Sequence, residues 1–406
     1  MLRIAIFLSE SARGVEIPST TDSLYAAPMA GAPIRPQTAI AIVGTGYVAD
    51  LYMPSLRLYP ELRIVGAWDV DAARLSAFCE HWGVAPATGL APLLAQSDIV
   101  LNLTSPRSHA EVNRAAIAAR RHVWCEKPIA LTREEAAALV EQAAAHGVHI
   151  GSAPCSVLGE AAQTAWSALR QGRIGTPRLV YAELDDDFLP AAPTRRWLSP
   201  SGAPWPAADE YRTGCTLEHA GYYLSWLMAM FGPVRRVVSG VARQLDAVQT
   251  GSGHDTPDYA SASLFFDDMV ARLTCSIIAR HDHRLRIFGD DGILEVDEAW
   301  ANDAAVRIRR RHVIRRRLIN SPIASRVRLK GATHPKVGRR GAASMNFALG
   351  VAEMADAITS GREPRLAAGF ALHLTEVSLA MQAGGDRDIA SSFEPMTPMV
   401  WAAGAR

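Results

Sequence analysis

The side chains best able to do chemistry sit at the ends of short β-branched runs. The first run, Ala39–Val43, leads straight into Gly44-Thr45-Gly46-Tyr47-Val48-Ala49, a G-x-G-x-x-A loop that opens a helical stretch. Its glycines allow a tight turn and a close approach to a pyrophosphate, and the free N–H groups of the helix start face that anion. An ordinary strand-to-helix turn uses glycines in the same way, so the loop needs context. Asp69 provides it by ending the next run, about 20 residues on, where a carboxylate accepts hydrogen bonds from ribose hydroxyls and repels a 2′-phosphate. Val70 follows it instead of a basic residue, which favours NAD over NADP; Arg74, one turn into the next helix, is the group able to swing toward a phosphate. Gly44, Gly46, Tyr47, Val48 and Asp69 are the expected dinucleotide contacts.

Two further runs end in polar groups. Ile99–Leu103 gives way to Thr104-Ser105-Pro106 and His109, and His122–Cys125 ends in Glu126-Lys127-Pro128. Both sets fall at the carboxyl edge of the implied sheet, where open α/β folds bind ligands. Pro128 stops its strand and turns Glu126 and Lys127 toward the crevice. A lysine there is often a plain surface residue, but beside a nicotinamide it can orient and polarise a substrate hydroxyl.

The order of the glycine loop, Asp69, Thr104-Ser105-Pro106, His109 and Glu126-Lys127-Pro128 resembles the Gfo/Idh/MocA family of sugar and cyclitol oxidoreductases, over nearly everything from Thr38 onward. The resemblance implies a Rossmann domain, then an α+β domain on a large, mainly antiparallel sheet that walls the substrate site and supports homodimers or homotetramers. It implies that Lys127 binds the reacting hydroxyl and that Glu126, with Thr104, Ser105, Pro106 and His109, contacts the cofactor. The family usually carries an acid and a histidine four apart on a helix of the second domain, so that both project from one face. Here the matching segment, Gly214 to Tyr223, puts Glu218 in the acid position and Tyr222 where the histidine would be; family members resembling glucose–fructose oxidoreductase also use tyrosine. A phenol of ordinary pKa about 10 is a poor base at neutral pH unless a cation such as Lys127 stabilises its anion. Tyr222, assisted by Glu218, is the expected proton relay. His219 points elsewhere on the helix and reads equally as a bonded core residue, and Tyr223 and Trp226 read as core or wall.

Three other stretches carry possible ligands. The proline-stiffened, aromatic loop from Thr194 to Pro206 suits the covering of a polar ligand, so Arg195, Arg196 and Trp197 join His219 as expected substrate contacts. His281 and His283 have a chelating i, i+2 spacing around Asp282, yet no third ligand stands near them in sequence, and no metal is expected. Between Arg307 and Arg340 are eleven Arg and two Lys with no Asp or Glu. They read either as a solvated strand edge or as an attractor for a diphosphate, a lipid-linked phosphate or an acidic membrane surface. Nucleic acid is disfavoured, because the run lacks aromatics for stacking.

The elements that must position these groups follow from pattern. Residues 10–37 are rich in Ser, Thr, Pro, Gly and Ala without periodicity, so 1–37 read as a flexible leader. From Thr38 short strands (Ala39–Val43, Arg63–Trp68, Ile99–Leu103, His122–Cys125, His149–Gly151) alternate with helical runs at Val48–Leu58, Asp71–Trp82, Arg107–Ala119 and Arg133–His146. That is a doubly wound parallel sheet over 38–152. Over 153–406 the texture becomes α+β, with helices near Leu158–Gln171, Leu217–Phe231, Ala343–Ser360 and Ala367–Ala383 around strands that alternate as antiparallel ones do. At 406 residues, 49% apolar, the chain can bury two cores, and a net charge of +1 gives no global field for nucleic acid. Five scattered cysteines without C-x-x-C spacing read as reduced thiols, and no apolar run approaches a membrane span, so a cytoplasmic protein is expected. The residues thus point to hydride transfer between NAD, with NADP as the alternative cofactor, and a carbinol or carbonyl carbon of a sugar, cyclitol or nucleotide-sugar. An NAD-dependent glycosidase of the same fold and a non-catalytic dinucleotide-binding sensor or scaffold are the alternatives.

Overall fold

The computed structural model describes residues 37–246, 256–339 and 341–403, so all of the expected leader except Gln37, and Arg340 of the basic run, lie outside the described residues. Strands β1 (Thr38–Val43), β2 (Leu62–Trp68), β3 (Ile99–Asn102), β4 (His122–Cys125) and β5 (Ile150–Ser152) make one parallel sheet in the order β2-β1-β3-β4-β5. Successive side chains feed opposite cores: Ile40, Ile42, Ile99 and Leu101 enter one, Ala41, Val43, Val100 and Val123 the other. Burial on both faces explains why these strands read as unbroken apolar runs. The four helical runs read in this half are present within two residues at each end. In the last of them, Arg133–His146, the Thr132 side chain accepts from the Glu135 N–H at 3.2 Å, and Gly147 ends the helix in the left-handed region at φ 66°.

The second sheet has ten strands. On from β6 (Pro177–Asp185) come β7 (Arg236–Ala242), β8 (Tyr259–Phe265), β9 (Val270–Ser276), β10 (Leu285–Gly289), β11 (Gly292–Val296), β12 (Val306–Ile314), β13 (Arg317–Asn320), β14 (Ser325–Val327) and β15 (Gly385–Asp388). They run in the order β13-β12-β11-β10-β6-β9-β8-β7-β15, with β14 also on β12; only β6 and β9 pair parallel. Alternation marks the core face: Ala260, Ala262 and Leu264 of β8 and Ala271, Leu273 and Cys275 of β9 are buried. β15 escaped the sequence because Gly-Asp-Arg-Asp is an exposed, wholly polar edge.

Two helix boundaries differ from the reading. The helix expected over Leu217–Phe231 is two, Cys215–His219 and Gly221–Phe231, meeting at Ala220. The one expected from Ala343 starts at Leu349, because Asn346 is committed to distant partners: its N–H to the Asn302 side chain at 2.7 Å and its amide to the Tyr59 hydroxyl at 2.7 Å. The second half also packs against the first. A Cβ at Gly350 would meet the Trp124 ring at 2.1 Å, and Ala371 belongs to the core beneath the first sheet, so the helices Leu349–Thr359 and Ala368–Ala383 help to cover the parallel sheet.

Part of the basic run forms β13, at one end of the large sheet, and β12, which is paired on both sides. Arg307 pairs with Asp297 and Arg309 with Glu295, while Arg315 and Arg316 make the exposed turn between the strands. All five cysteines are free and buried, and among the described residues no helix is long and apolar enough to cross a membrane.

Candidate functional site

A groove runs along the carboxyl ends of β1 to β4. Gly44, at φ +90°, forms its floor: a Cβ there would stand 2.6 Å from the Thr104 backbone nitrogen, so only glycine fits. Gly46 caps the helix Tyr47–Leu56 and faces open space, which leaves the helix N-terminus clear for a pyrophosphate. Tyr47, Val48, Asp69, Thr104, Ser105, Pro106, His109, Glu126 and Lys127, all expected as cofactor contacts, line the same groove. A dinucleotide therefore fits these residues.

At the adenosine end Asp69 is heavily engaged. It accepts from the Thr45 N–H at 2.7 Å, the Asp71 N–H at 2.9 Å, and Arg74 Nε and Nη2 at 3.1 and 2.9 Å. Burial works to raise its pKa, but these donors outweigh it and hold the carboxyl below the usual range. Arg74 thus lies over Asp69 instead of waiting apart as a rival for phosphate, and both line the groove.

Two of the expected contacts are also tied into the frame of the groove. The buried His109 ring sets Nδ1 2.6 Å from the Pro128 carbonyl and Nε2 2.9 Å from the Thr104 carbonyl, tying together the loops after β3 and β4; burial holds its pKa below the ordinary value. Glu126 accepts from the Tyr52 hydroxyl at 2.6 Å, which fixes the carboxylate.

The groove opens into a second pocket, and Tyr47, Val48, Glu126, Lys127, Glu210 and Glu218 border both. Lys127 is paired with Glu218, delivered from the short helix Cys215–His219. Burial opposes the lysine's charge, yet Glu218 and other nearby groups outweigh it, so the ammonium holds its proton above the usual lysine range. Tyr222, expected as a proton relay, lines the pocket. Burial pushes the phenol above its ordinary pKa, and the carboxylates Glu126, Glu218 and Glu210 reinforce burial against the pull of Lys127.

Glu210, on the helix Ala207–Thr213, went unread because Ala-Ala-Asp-Glu-Tyr-Arg looks like any solvated helix. Burial, then the charge of Glu218, push its carboxyl well above the usual range, with Lys127 pulling back. Asp50 was missed too. Fully buried in the first helix, it accepts from Trp82 Nε1 at 2.7 Å, Ser199 Oγ at 2.7 Å and Ser201 Oγ at 2.6 Å, and so pins the loop from Thr194 to Pro206 across the groove.

That loop corrects one expectation. Trp197 is buried edge-on against Trp205 at 5.3 Å between ring centroids, and both line the pocket. The same turn leaves Arg195 and Arg196 exposed and outside both pocket walls. His219 lines the pocket with Nε2 3.3 Å from Asp186 Oδ2, and Trp300, which the sequence reading passed over, closes a wall 6.2 Å from the Tyr222 ring.

Residues 38–153 match a family described as an oxidoreductase family with an NAD-binding Rossmann fold, and residues 162–295 match the GFO/IDH/MocA C-terminal domain. The chain is 24% identical over 147 residues to an uncharacterised oxidoreductase of Bacillus subtilis, YrbE, which spans 36% of this chain and 43% of that relative. Among solved structures, the WlbA dehydrogenase of Bordetella pertussis, in complex with NADH and UDP-GlcNAcA, superimposes with a TM-score of 0.66 at 18% identity, covering 87% of this chain and 98% of that one. An inositol dehydrogenase homologue of Azotobacter vinelandii, complexed with NADH and myo-inositol, gives 0.65 at 18% identity, covering 87% and 97%.

Proposed function

The chain belongs to the Gfo/Idh/MocA family of NAD-binding oxidoreductases, and on that premise we propose that it oxidises or reduces a carbinol or carbonyl carbon of a sugar, cyclitol or nucleotide-sugar. One observation carries the reading: the Lys127 ammonium borders both the dinucleotide groove and the adjoining pocket, held there by Glu218. The pocket's other walls suit a polyol. Trp197, Trp205 and Trp300 offer apolar faces for the C–H side of a ring, while Lys127, Glu210 and Glu218 are hydrogen-bonding groups for its hydroxyls.

NAD bound in the groove supplies the hydride acceptor or donor. Lys127 donates to the reacting oxygen and offsets the negative charge that grows on it as the carbinol gives up its proton, or as the carbonyl accepts hydride in reduction. Lys127 stays protonated and Tyr222 stays a phenol, so the proton released on oxidation passes through the ammonium to the Glu218 carboxylate. Tyr222 holds the substrate oxygen by donating to it. In reduction the flow reverses, with the lysine returning the proton. The usual histidine is replaced by a tyrosine that orients, and the base is the carboxylate.

The reading is tested by mixing NAD-loaded protein with myo-inositol, free aldoses and UDP-sugars, following NADH fluorescence together with product by mass spectrometry. Stoichiometric NADH with a keto product from one class supports it. Glycoside cleavage without net NADH would replace it with redox-neutral hydrolysis, and cofactor binding with no exchange into any carbohydrate would point to a sensor.

A further inference from the structure

The strand register gathers a second group of polar side chains at one end of the large sheet. Asp185 bridges to Asp282, continuing the β6–β10 pairing that sets Ala182 opposite Leu285; the same register puts Asp186 opposite His281. Strands β10 and β11 pair Leu285 with Val296, which carried two residues onward sets His283 opposite Glu298. Because side chains alternate, Asp186, His281 and His283 all project from one face. One donor atom from each of the three lies within 4.8 Å of the others.

The hydrogen bonds of this cluster select which atoms remain free. Glu298 takes His283 Nδ1 at 2.8 Å and His281 Nε2 at 3.2 Å, so a single carboxylate orients both rings. His219 Nε2 stands 3.3 Å from Asp186 Oδ2. What is left over is His283 Nε2, His281 Nδ1 and Asp186 Oδ1, each buried and without a hydrogen-bond partner. His283 is 1% exposed and Asp186 7%. His281 Nδ1 and Asp186 Oδ1 face each other at 3.9 Å, beyond hydrogen-bond reach. Unpaired buried polar atoms are costly, and three converging at one point ask for a common partner.

We propose that Asp186, His281 and His283 form a binding site for a divalent transition-metal ion of the zinc class, with Glu298 as the carboxylate that orients both histidines. The donor set is two imidazoles and one carboxylate, and each histidine's second nitrogen is held by a carboxylate, the arrangement that fixes the tautomer presenting a lone pair to the metal. An ion of charge +2 balances Asp186 and Glu298 while both rings stay neutral. Metal bonds of about 2.0–2.2 Å require the donors to draw together, and His281, the half-exposed member, has room to do so. Three protein donors leave a fourth tetrahedral position for water or an oxygen ligand. Asp186 and Trp300, whose ring lies 4.4 Å from that of His283, also border the substrate pocket, so the ion would stand at its wall. The site stands independently of the choice of substrate.

The test uses the full chain, stripped with a chelator and titrated with Zn²⁺ by calorimetry and with Co²⁺ by visible absorption. One ion per chain is expected, with Co²⁺ giving ligand-field bands. His281→Gln and Asp186→Asn, each checked for an unchanged melting temperature and NAD binding, should weaken Zn²⁺ by at least about 100-fold. Glu298→Gln, which keeps every ligand, should weaken it about 10- to 100-fold. Failure of the wild type to bind Zn²⁺ stoichiometrically at micromolar concentration would overturn the proposal. So would equal binding by His281→Gln, Asp186→Asn and Glu298→Gln, which would put the ion elsewhere.

Discussion

The two ends of the cofactor groove are each built on a carboxylate paired with a cation, and the pairs differ in burial. At the adenosine end Asp69 holds Arg74, whose side chain is 36% exposed; at the reaction end Glu218 holds Lys127, at 7% and 19%. Water screens the first pair, so its strength is modest and dependent on salt. The second is crowded by Glu126, Glu210 and Tyr222 in a place water barely reaches, and there small changes in charge move protons. On the proposed reading, the same pairing serves recognition in one place and chemistry in the other.

The largest effect that would break this contrast is expected at Lys127. Lys127→Met should lower turnover by about 10²–10⁴ in steady-state assays, since it removes both a charge donor and a proton carrier. Unchanged turnover would end its role. Tyr222→Phe should cost less, about 10²-fold at most, because a phenol that only donates is not the base. Its pH–rate profile should keep the wild-type acidic limb; losing that limb would make the tyrosine the titrating group after all.

Glu210 sharpens the contrast through stability. Its folded-state pKa is raised, so the stability it contributes is full below the ordinary carboxylate range and lost as pH rises through the folded value. Glu210→Gln keeps a neutral group of the same shape. Melting temperatures of the two proteins should coincide at low pH and diverge at higher pH, the variant being the more stable. A constant difference at all pH values would mean that Glu210 is not held protonated. The smallest effect belongs to Arg74→Ala, which should change NAD affinity about two- to five-fold, measurably at low salt and hardly at high salt. Fluorescence titrations with NAD at two ionic strengths check this.

The adenosine end was legible in sequence because its chemistry is local. Gly44, Gly46 and Asp69 are set by a turn and a strand end, and apolar runs buried on both faces locate those strands. The reaction end was legible only in part. Lys127 and Glu218 stood out through motif order, but Glu210, Asp50 and Trp300 reach the site through tertiary packing that no period records. Asp186 is joined to His281 and His283 by cross-strand register over 95 residues, so the histidine pair looked incomplete. Arg195 and Arg196 misled because a loop's composition does not tell which side chains turn inward; burial of Trp197 against Trp205 decided that. For Tyr222 one neighbouring cation was visible in the sequence, whereas the burial and carboxylates that raise its pKa were not.

The central claim, that burial divides recognition from chemistry between two similar ion pairs, is tested most directly by one paired experiment. NAD dissociation constants and single-turnover NADH formation are measured on wild type, Lys127→Met and Arg74→Ala under the same conditions, with the substrate class found to react. The account predicts a crossover: Lys127→Met binds NAD within about three-fold of wild type while its single-turnover rate falls by about 10² or more, and Arg74→Ala shifts only binding. If instead both variants lose affinity and rate in the same proportion, the two ends of the groove do the same work and the account is wrong.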